Sequence, residues 1–232
     1  MKTNNRNSIM LGQTNKDTEL IFNSEMSMDM PFSGRKVINL KKKDGSSLNV
    51  KRHMLGSWIE SIVEPSGVYF LDFDHSKIDN YNMHYLDHSN GKLMEMNMPP
   101  IAYTGEDPKK EFLDKLIFDL NLFDSSEPIV VYGKSSFEDV LNQLSELYYE
   151  YADEVDSILE RLLDMEQVFT EQWYWDSRFK GNTIKTIYPV LCLGKSKTLD
   201  ISNSLAMYKI YTAILSIYLQ VHVPVGEMRM AA

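Results

Sequence analysis

The chain has 232 residues, of which 43% are hydrophobic and 25% charged, proportions that are typical of a globular protein with its own core. Its formal net charge of -9 argues against a protein that binds nucleic acid through bulk positive charge, although bound divalent cations would supply that charge in a nuclease. The single cysteine, Cys192, excludes an intramolecular disulfide and a multi-cysteine zinc site, and its apolar neighbours predict a buried, unreactive side chain.

The sequence predicts a soluble, cytoplasmic protein. No apolar run reaches the roughly 18 residues that a membrane-spanning helix needs. The first 20 residues lack the apolar segment of a signal peptide. A single cysteine also fits a reducing compartment.

Residues 1–64 predict an N-terminal arm that is partly flexible, because residues 1–30 are rich in Asn, Ser, Thr and Met and show little periodicity. Residues 37–55 predict a hairpin around Asp44 and Gly45. Its lysines, from Lys41 to Lys43 and at Lys51, either form a solvated edge or contact phosphates.

Residues 65–232 predict one α/β domain, in which a mixed sheet, made of a three-strand meander plus parallel strands, is flanked by helices. Strands are expected at 68–74, at 82–98 as a hairpin joined by Asn90 and Gly91, and within 127–133. Helices are expected at 107–123 after the cap Asp107, at 135–151 after Ser135 or Ser136, at 153–169 as one or two, and at 204–221. The aromatic residues at 173–175 lie in an irregular stretch, and they either pack internally or stack unpaired bases.

Three acids follow two apolar strands. Asp72 and Asp74 are two residues apart, so they share one face of a strand. Glu138 follows the "IVVYG" strand, which we expect beside the first. Carboxylate oxygens suit Mg²⁺ or Mn²⁺, and two such ions about 4 Å apart activate water for phosphodiester hydrolysis. The sequence therefore predicts a metal site formed by these acids.

The motifs "VYFLDFD", "PIVVYGKSSFE", "RLLDMEQVF" and "FKGNTIKTIYPVL" resemble, in this order, those of the bacterial domain of unknown function 2779. That domain is a divergent branch of the DnaQ-like (DEDD) exonuclease superfamily, which has the ribonuclease H-like fold. The resemblance implies a 3'–5' exonuclease that acts on single-stranded DNA or RNA with two divalent metals held by four acids.

On this resemblance, Asp72 matches the first acid, which bridges both metals, and Asp74 the second, where the family usually has Glu. Glu138 matches the acid of the second motif. Asp164 supports the rim of the site. Ser136 and Lys185 are candidate substrate contacts.

The family's fourth acid belongs on a late helix, but residues 204–221 carry no acid, and we expect the chain to end before that motif. Three interpretations stay open. The domain is a metal-dependent nuclease, impaired to some degree; or it is an inactive remnant that binds nucleic acid or protein; or, more weakly supported, it is a phosphoesterase for small nucleotides.

Overall fold

The computed structural model describes residues 37–42, 44–98, 107–121, 126–193 and 201–222. The predicted arm up to residue 36, and Lys43, lie outside these ranges. The described residues divide into two compact units, one formed by residues 61–163 and the other by residues 37–60 together with 164–222.

The helices and strands follow one another as a hairpin, a helix, a meander and then mainly helices. In chain order they are β1 (Val37–Lys41), β2 (Ser47–Lys51), α1 (Arg52–Val63), β3 (Gly67–Phe73), β4 (Tyr81–Asp87), β5 (Lys92–Met98), α2 (Pro108–Leu120), β6 (Ile129–Val131), α3 (Lys134–Leu147), α4 (Ala152–Arg161), β7 (Leu162–Asp164), α5 (Glu166–Thr170), β8 (Tyr174–Asp176), α6 (Ile184–Tyr188) and α7 (Asn203–His222). A 3₁₀ turn at Tyr149–Tyr151 precedes α4, and a π-helical segment at Pro189–Leu193 follows α6.

A five-stranded mixed sheet lies in the first unit, with the strand order β5-β4-β3-β6-β7. Strands β3, β4 and β5 form an antiparallel meander, whereas β6 runs parallel to β3 with Tyr69 opposite Ile129 and Phe70 opposite Val130. This confirms the predicted mixed α/β sheet and the predicted pairing of the first strand with the "IVVYG" strand.

The main core lies between one face of this sheet and the helices α2, α3 and α4. Alternate residues of β3, namely Tyr69, Leu71 and Phe73, belong to it. The helices contribute Phe112, Leu113, Leu116, Leu120, Phe137, Val140, Leu141, Leu144, Val155 and Ile158. Each such buried side chain stabilises the fold by about 1.5–3 kcal/mol. Phe70, on the other face of β3, is also fully buried. Both faces of β3 are therefore covered, and this explains why its sequence is an almost continuous apolar run.

The start of β3 is fixed by a buried carboxylate and a close backbone approach. Glu127, which is 1% exposed, accepts hydrogen bonds from the Ser66 hydroxyl and from the Gly67 amide at 2.8 Å. A Cβ atom on Gly67 would lie 2.1 Å from the Tyr85 hydroxyl oxygen, so only glycine allows that ring to pack here. Since Glu127 stands just before β6, its carboxylate joins the beginnings of the two parallel strands.

We predict that Glu127→Ala lowers the free energy of unfolding by about 1–3 kcal/mol, because it leaves the Gly67 amide buried without its acceptor. Urea denaturation at pH 7 measures the change. Ser66→Ala is the matched control, since it removes one bond at an exposed residue and should cost about 0.5–1.5 kcal/mol. A cost of Glu127→Ala below about 1 kcal/mol would contradict this role of the carboxylate.

The second unit contains a three-stranded antiparallel sheet with the order β1-β2-β8. Its β1–β2 hairpin turns at Asp44 and Gly45, as predicted. The fully buried Asp176 of β8 accepts hydrogen bonds from Arg178 Nη2 at 2.8 Å and Nε at 3.0 Å, and it forms an ion pair with Lys42. Arg178 also reaches Asp44 at 3.2 Å. Lys42 is therefore engaged inside the unit and is not available to phosphates.

Three local predictions differ from the structure. Helix α1 stands where no helix was predicted, and α3 begins at Lys134 after Gly133 instead of after a serine cap. Gly133 has φ of 81°, a left-handed conformation that glycine adopts without strain. The one or two helices predicted at 153–169 are two, α4 and α5, and the strand β7 between them was not predicted. The irregular aromatic stretch contains a second unpredicted strand, β8. Both are three-residue strands whose partners lie far away in the sequence, so no local pattern indicates them.

We predict that Asp176→Asn lowers the free energy of unfolding by about 2–4 kcal/mol, because it leaves two cations facing a neutral group. Because Arg178 is partly exposed, the expected loss of stability is smaller than the cost of breaking a fully buried ion pair. Asp44→Asn, at the exposed end of the same cluster, is the control and should cost about 0–1 kcal/mol.

The effect of Asp176→Asn should depend on pH. Burial alone would raise the pKa of Asp176, but the hydrogen bonds from Arg178 and Lys42 outweigh burial and hold it below its ordinary value. The folded state therefore binds fewer protons than the unfolded state, so this stabilisation is present above the unfolded pKa and is lost as pH falls through the folded pKa. Denaturation curves should show a constant gap between wild type and variant above about pH 5 that narrows below about pH 4.

Candidate functional site

Strands β3 and β6 end at the same edge of the five-stranded sheet because they are parallel neighbours. Asp72 is the last residue but one of β3, and Asp74 directly follows the strand. After β6 the chain turns at Gly133 and enters α3, whose second turn carries Glu138. The pairing therefore brings the segments that contain the three predicted acids to one edge.

Ring contacts join these two segments directly. The Phe73 and Phe137 ring centroids are 4.6 Å apart, and the His75 ring lies 5.0 Å from Phe73 and 4.6 Å from Phe137. Phe137 is 1% exposed and Phe73 is 4% exposed. The immediate sequence neighbours of Asp72, Asp74 and Glu138 thus form one packed aromatic cluster.

Asp72 and Asp74 occupy different surroundings. Asp72 is half-buried, on the face of β3 opposite Leu71 and Phe73. Asp74 is exposed, and its carboxylate accepts hydrogen bonds from the Ser76 amide at 2.9 Å and from the Ser76 hydroxyl at 2.6 Å. These bonds hold the pKa of Asp74 below its ordinary value. Because β3 ends at Phe73, the same-face rule for strands does not fix the direction of Asp74.

Glu138 lies 3.4 Å from the Lys134 ammonium, an i,i+4 ion pair on the surface of α3. Ser136, the candidate substrate contact, is exposed two residues earlier, and its amide donates to the Gly133 carbonyl at 3.1 Å. Both side chains are therefore accessible on the first part of the helix that follows β6.

Three further predicted residues lie in the second unit. Asp164 is half-buried, and its carboxylate accepts a hydrogen bond from the Glu166 amide at 2.8 Å, at the start of α5. Lys185 is exposed on the short helix α6. Cys192 is half-buried, and burial raises the pKa of its thiol to about 12, so it stays protonated at neutral pH, consistent with the predicted unreactive side chain.

Sequence reasoning missed His75. Its Nε2 atom is buried and has no hydrogen-bond partner among the described residues. Burial lowers the pKa of His75 below its ordinary value, against the opposing effect of Asp74. Its position next to Asp74 was a visible signal, but only the packing of its ring on Phe73 and Phe137 distinguishes it from an exposed turn residue.

As the side chains stand, no group of three or more His, Cys, Asp or Glu residues in the described ranges is close enough to hold one metal ion. The assignment of Asp72, Asp74 and Glu138 to a metal therefore stays a prediction. Across the same ranges, no helix combines the length and the apolar character needed to cross a bilayer.

We predict that Phe137→Ala lowers the free energy of unfolding by about 3–5 kcal/mol, because it empties the centre of the aromatic cluster. Phe118→Ala is the matched control, since Phe118 is 63% exposed on α2, and it should change stability by less than about 0.5 kcal/mol. Thermal and urea denaturation measure both. A small effect of Phe137→Ala would mean that the cluster does not hold β3 and α3 together.

Comparison with known proteins gives one match. A family model for the domain of unknown function 2779 (DUF2779) matches residues 79–183, which confirms the predicted resemblance to this domain over that range. The matched range includes Ser136, Glu138 and Asp164, begins after Asp74 and ends before Lys185. Neither the curated proteins nor the solved structures contain a significant match.

Proposed function

We propose that this protein is a divalent-metal-dependent nuclease of the 3'–5' exonuclease type, with a ribonuclease H-like sheet and single-stranded DNA or RNA as its substrate. Asp72, Asp74 and Glu138 hold Mg²⁺ or Mn²⁺ in this proposal. The observation that carries it is the contact between Phe73 and Phe137, since it joins the segment with both aspartates to the helix turn with the glutamate.

The sheet supports this proposal. A three-strand meander followed by a strand parallel to its first member is the arrangement that the resemblance implies, and β3, β4, β5 and β6 follow it. The DUF2779 match over residues 79–183 supports the same family assignment for most of this sheet. The relationship to the DnaQ-like exonucleases itself remains part of the proposal.

The donor set fits a hard cation. All three groups are carboxylates, which Mg²⁺ and Mn²⁺ prefer, and the cations that contact Asp74 and Glu138 are surface lysines. Lys77 stands 3.7 Å from Asp74 and Lys134 stands 3.4 Å from Glu138, and both pairs are largely solvent-exposed. Solvent screens exposed pairs of this kind, so in this proposal a divalent ion displaces the lysines at low cost.

Each group then has a defined task. A bound ion would supply the positive charge that activates water and stabilises the leaving oxygen of a phosphodiester. Asp72 is half-buried near the end of β3 and would hold the ion at a fixed position. Asp74, in the turn after β3, and Glu138, on α3, would complete the set of ligands. Ser136 and Lys185 are kept as candidate contacts to the substrate phosphate.

A second candidate function is a binding module without catalysis. One observation favours it: α7, which is the late helix of the described chain, contains no Asp or Glu over Asn203–His222. A two-metal site that lacks its fourth acid would retain cation binding and lose hydrolysis. The two candidates therefore agree on metal binding and differ on cleavage.

We predict that Mn²⁺ raises the melting temperature of the wild-type protein and that Asp72→Asn abolishes this rise. Binding to the folded state alone stabilises by about 2.7 kcal/mol when free ion exceeds Kd a hundredfold. Asp139→Asn is the matched control, because Asp139 is an exposed neighbour of Glu138 on α3, and it should keep the response. An unchanged response in Asp72→Asn would remove the basis of the metal site.

The cleavage assay separates the two candidates. Labelled single-stranded DNA and RNA are incubated with wild type, Asp72→Asn and Glu138→Gln in Mg²⁺, Mn²⁺ or EDTA. A nuclease shortens the strands from the 3' end only with metal and at least 100-fold more slowly in either variant, given the ~2.7–4 kcal/mol cost of losing one charge-stabilising group. Metal binding without any shortening would leave the binding module as the function.

A further inference from the structure

The three-stranded sheet of the second unit has one buried face and one open face. Its buried face contains Ile38, Leu40, Leu48, Val50 and Tyr174, each at most 5% exposed. The alternate residues form what we call the open face, and they are Val37, Asn39, Lys41, Ser47, Asn49, Lys51 and Trp175. Five of these seven are exposed, and Ser47 and Trp175 are half-buried.

The strand register sets these side chains in a definite pattern. Asn39 pairs with Asn49, and Asn49 pairs with Trp175, so the two amides and the indole form a row across all three strands. Lys41 and Lys51 stand on opposite sides of this row, each about 7 Å along its strand from the nearest asparagine. The two lysines of the hairpin and the aromatic residue of β8, which is distant from them in the sequence, thus lie on one face of the sheet.

The open face is positively charged in an acidic protein. None of its seven residues is Asp or Glu, although the chain has a net charge of -9. Of the carboxylates nearest in sequence, Asp176 is fully buried with Lys42, and Asp44 pairs with Arg178 at 3.2 Å. Glu171 accepts the neutral Trp173 indole N–H at 3.0 Å and keeps its charge. Lys51 donates to the Glu171 backbone carbonyl, a neutral acceptor that leaves the ammonium charge in place.

The Trp175 ring is held in position from one side. Its centroid lies 5.5 Å from that of Phe179, at an interplanar angle of 86°, and Phe179 is itself 7% exposed. An indole that is half-buried and packed edge to face loses little freedom when a planar ligand stacks on it. This reduces the entropic cost of binding.

We propose that the open face binds single-stranded nucleic acid. Trp175 stacks on an unpaired base, Lys41 and Lys51 contact phosphates, and Asn39 and Asn49 hydrogen-bond to base edges. A positively charged surface that carries a stacking aromatic residue is the combination that binds unpaired strands with little dependence on sequence. An acidic peptide would use the lysines alone, and the bases of a duplex would be stacked out of reach of the indole.

This inference deepens the proposed function by naming where the strand is held. It requires neither a metal nor hydrolysis, because every residue involved lies outside the predicted acid site. Binding is therefore tested in EDTA, where failure of the metal site cannot affect the result.

The experiment uses the full chain, fluorescein-labelled 12-nucleotide dT and rU strands, and fluorescence anisotropy at about 50 mM salt. We expect both strands to bind, and Trp175→Ala to weaken binding roughly 5- to 150-fold, the range for one stacked base. The double variant Lys41→Gln/Lys51→Gln should reduce the slope of log affinity against log salt by about 1.4, since single strands release about 0.7 ion per phosphate contact.

Two controls match these variants. Lys180→Gln changes an exposed lysine of the same unit that is not on the open face, and Tyr149→Ala removes an aromatic side chain that is 83% exposed in the first unit. Both should bind like wild type. Circular dichroism checks the fold of each variant, and the lysine variants keep the test valid if Trp175→Ala unfolds, because both lysines are exposed.

Several results would overturn the proposal. These are the absence of binding at low salt, wild-type affinity in both the Trp175→Ala and the double lysine variant, or equal affinity for a 12-base-pair duplex. Binding of poly-glutamate with the same dependence on Trp175 would assign the face to acidic proteins instead. If Mn²⁺ does not raise the melting temperature of the wild-type protein but the strands still bind, that result would count against the metal site alone.

Discussion

The parallel pairing of β3 with β6 is the constraint on which the first unit depends. Parallel neighbours cannot be joined by a short turn, so the chain must first complete a meander and a helix before β6 returns beside β3. The Glu127 carboxylate holds the beginnings of the two strands together through Ser66 and Gly67. Their far ends then meet at one edge, where Phe73 packs on Phe137.

Burial decides what each carboxylate of this protein does. Glu127 and Asp176 are almost or fully inaccessible, and each is surrounded by donors that fix neighbouring strands. Asp74 and Glu138 are accessible, and they contact the amide and hydroxyl of one turn residue and surface lysines. The first kind stabilises the fold, and the second kind supplies the ligands in the proposed metal site.

The same separation applies to the lysines. Lys42 is 11% exposed and neutralises a buried aspartate, whereas its neighbour Lys41 points to the other side of β1 and faces solvent. One strand thus contributes an internal ion pair and an external cation through the alternation of side chains. Lys41 and Lys42 are therefore in physically different surroundings, although they belong to one basic cluster in the sequence.

The sequence by itself determined the elements that depend on neighbouring residues. Asn90–Gly91 and Asp44–Gly45 form hairpin turns because glycine adopts positive φ, and Asp107 with Pro108 starts α2 as its capping chemistry indicates. The apolar runs at 68–73 and 129–131 were correctly predicted as strands, and their pairing followed from the order of elements.

Only the tertiary structure decided the rest, because the partners involved are distant in sequence. β8 exists through its pairing with β2, more than 120 residues away, and that pairing places Trp175 on the same face of the sheet as Lys41 and Lys51. Only the packing of its ring against Phe137 distinguishes His75 from an exposed turn residue. Interactions between neighbouring residues stabilise turns and helix caps, whereas contacts between distant residues determine which side chains share a surface.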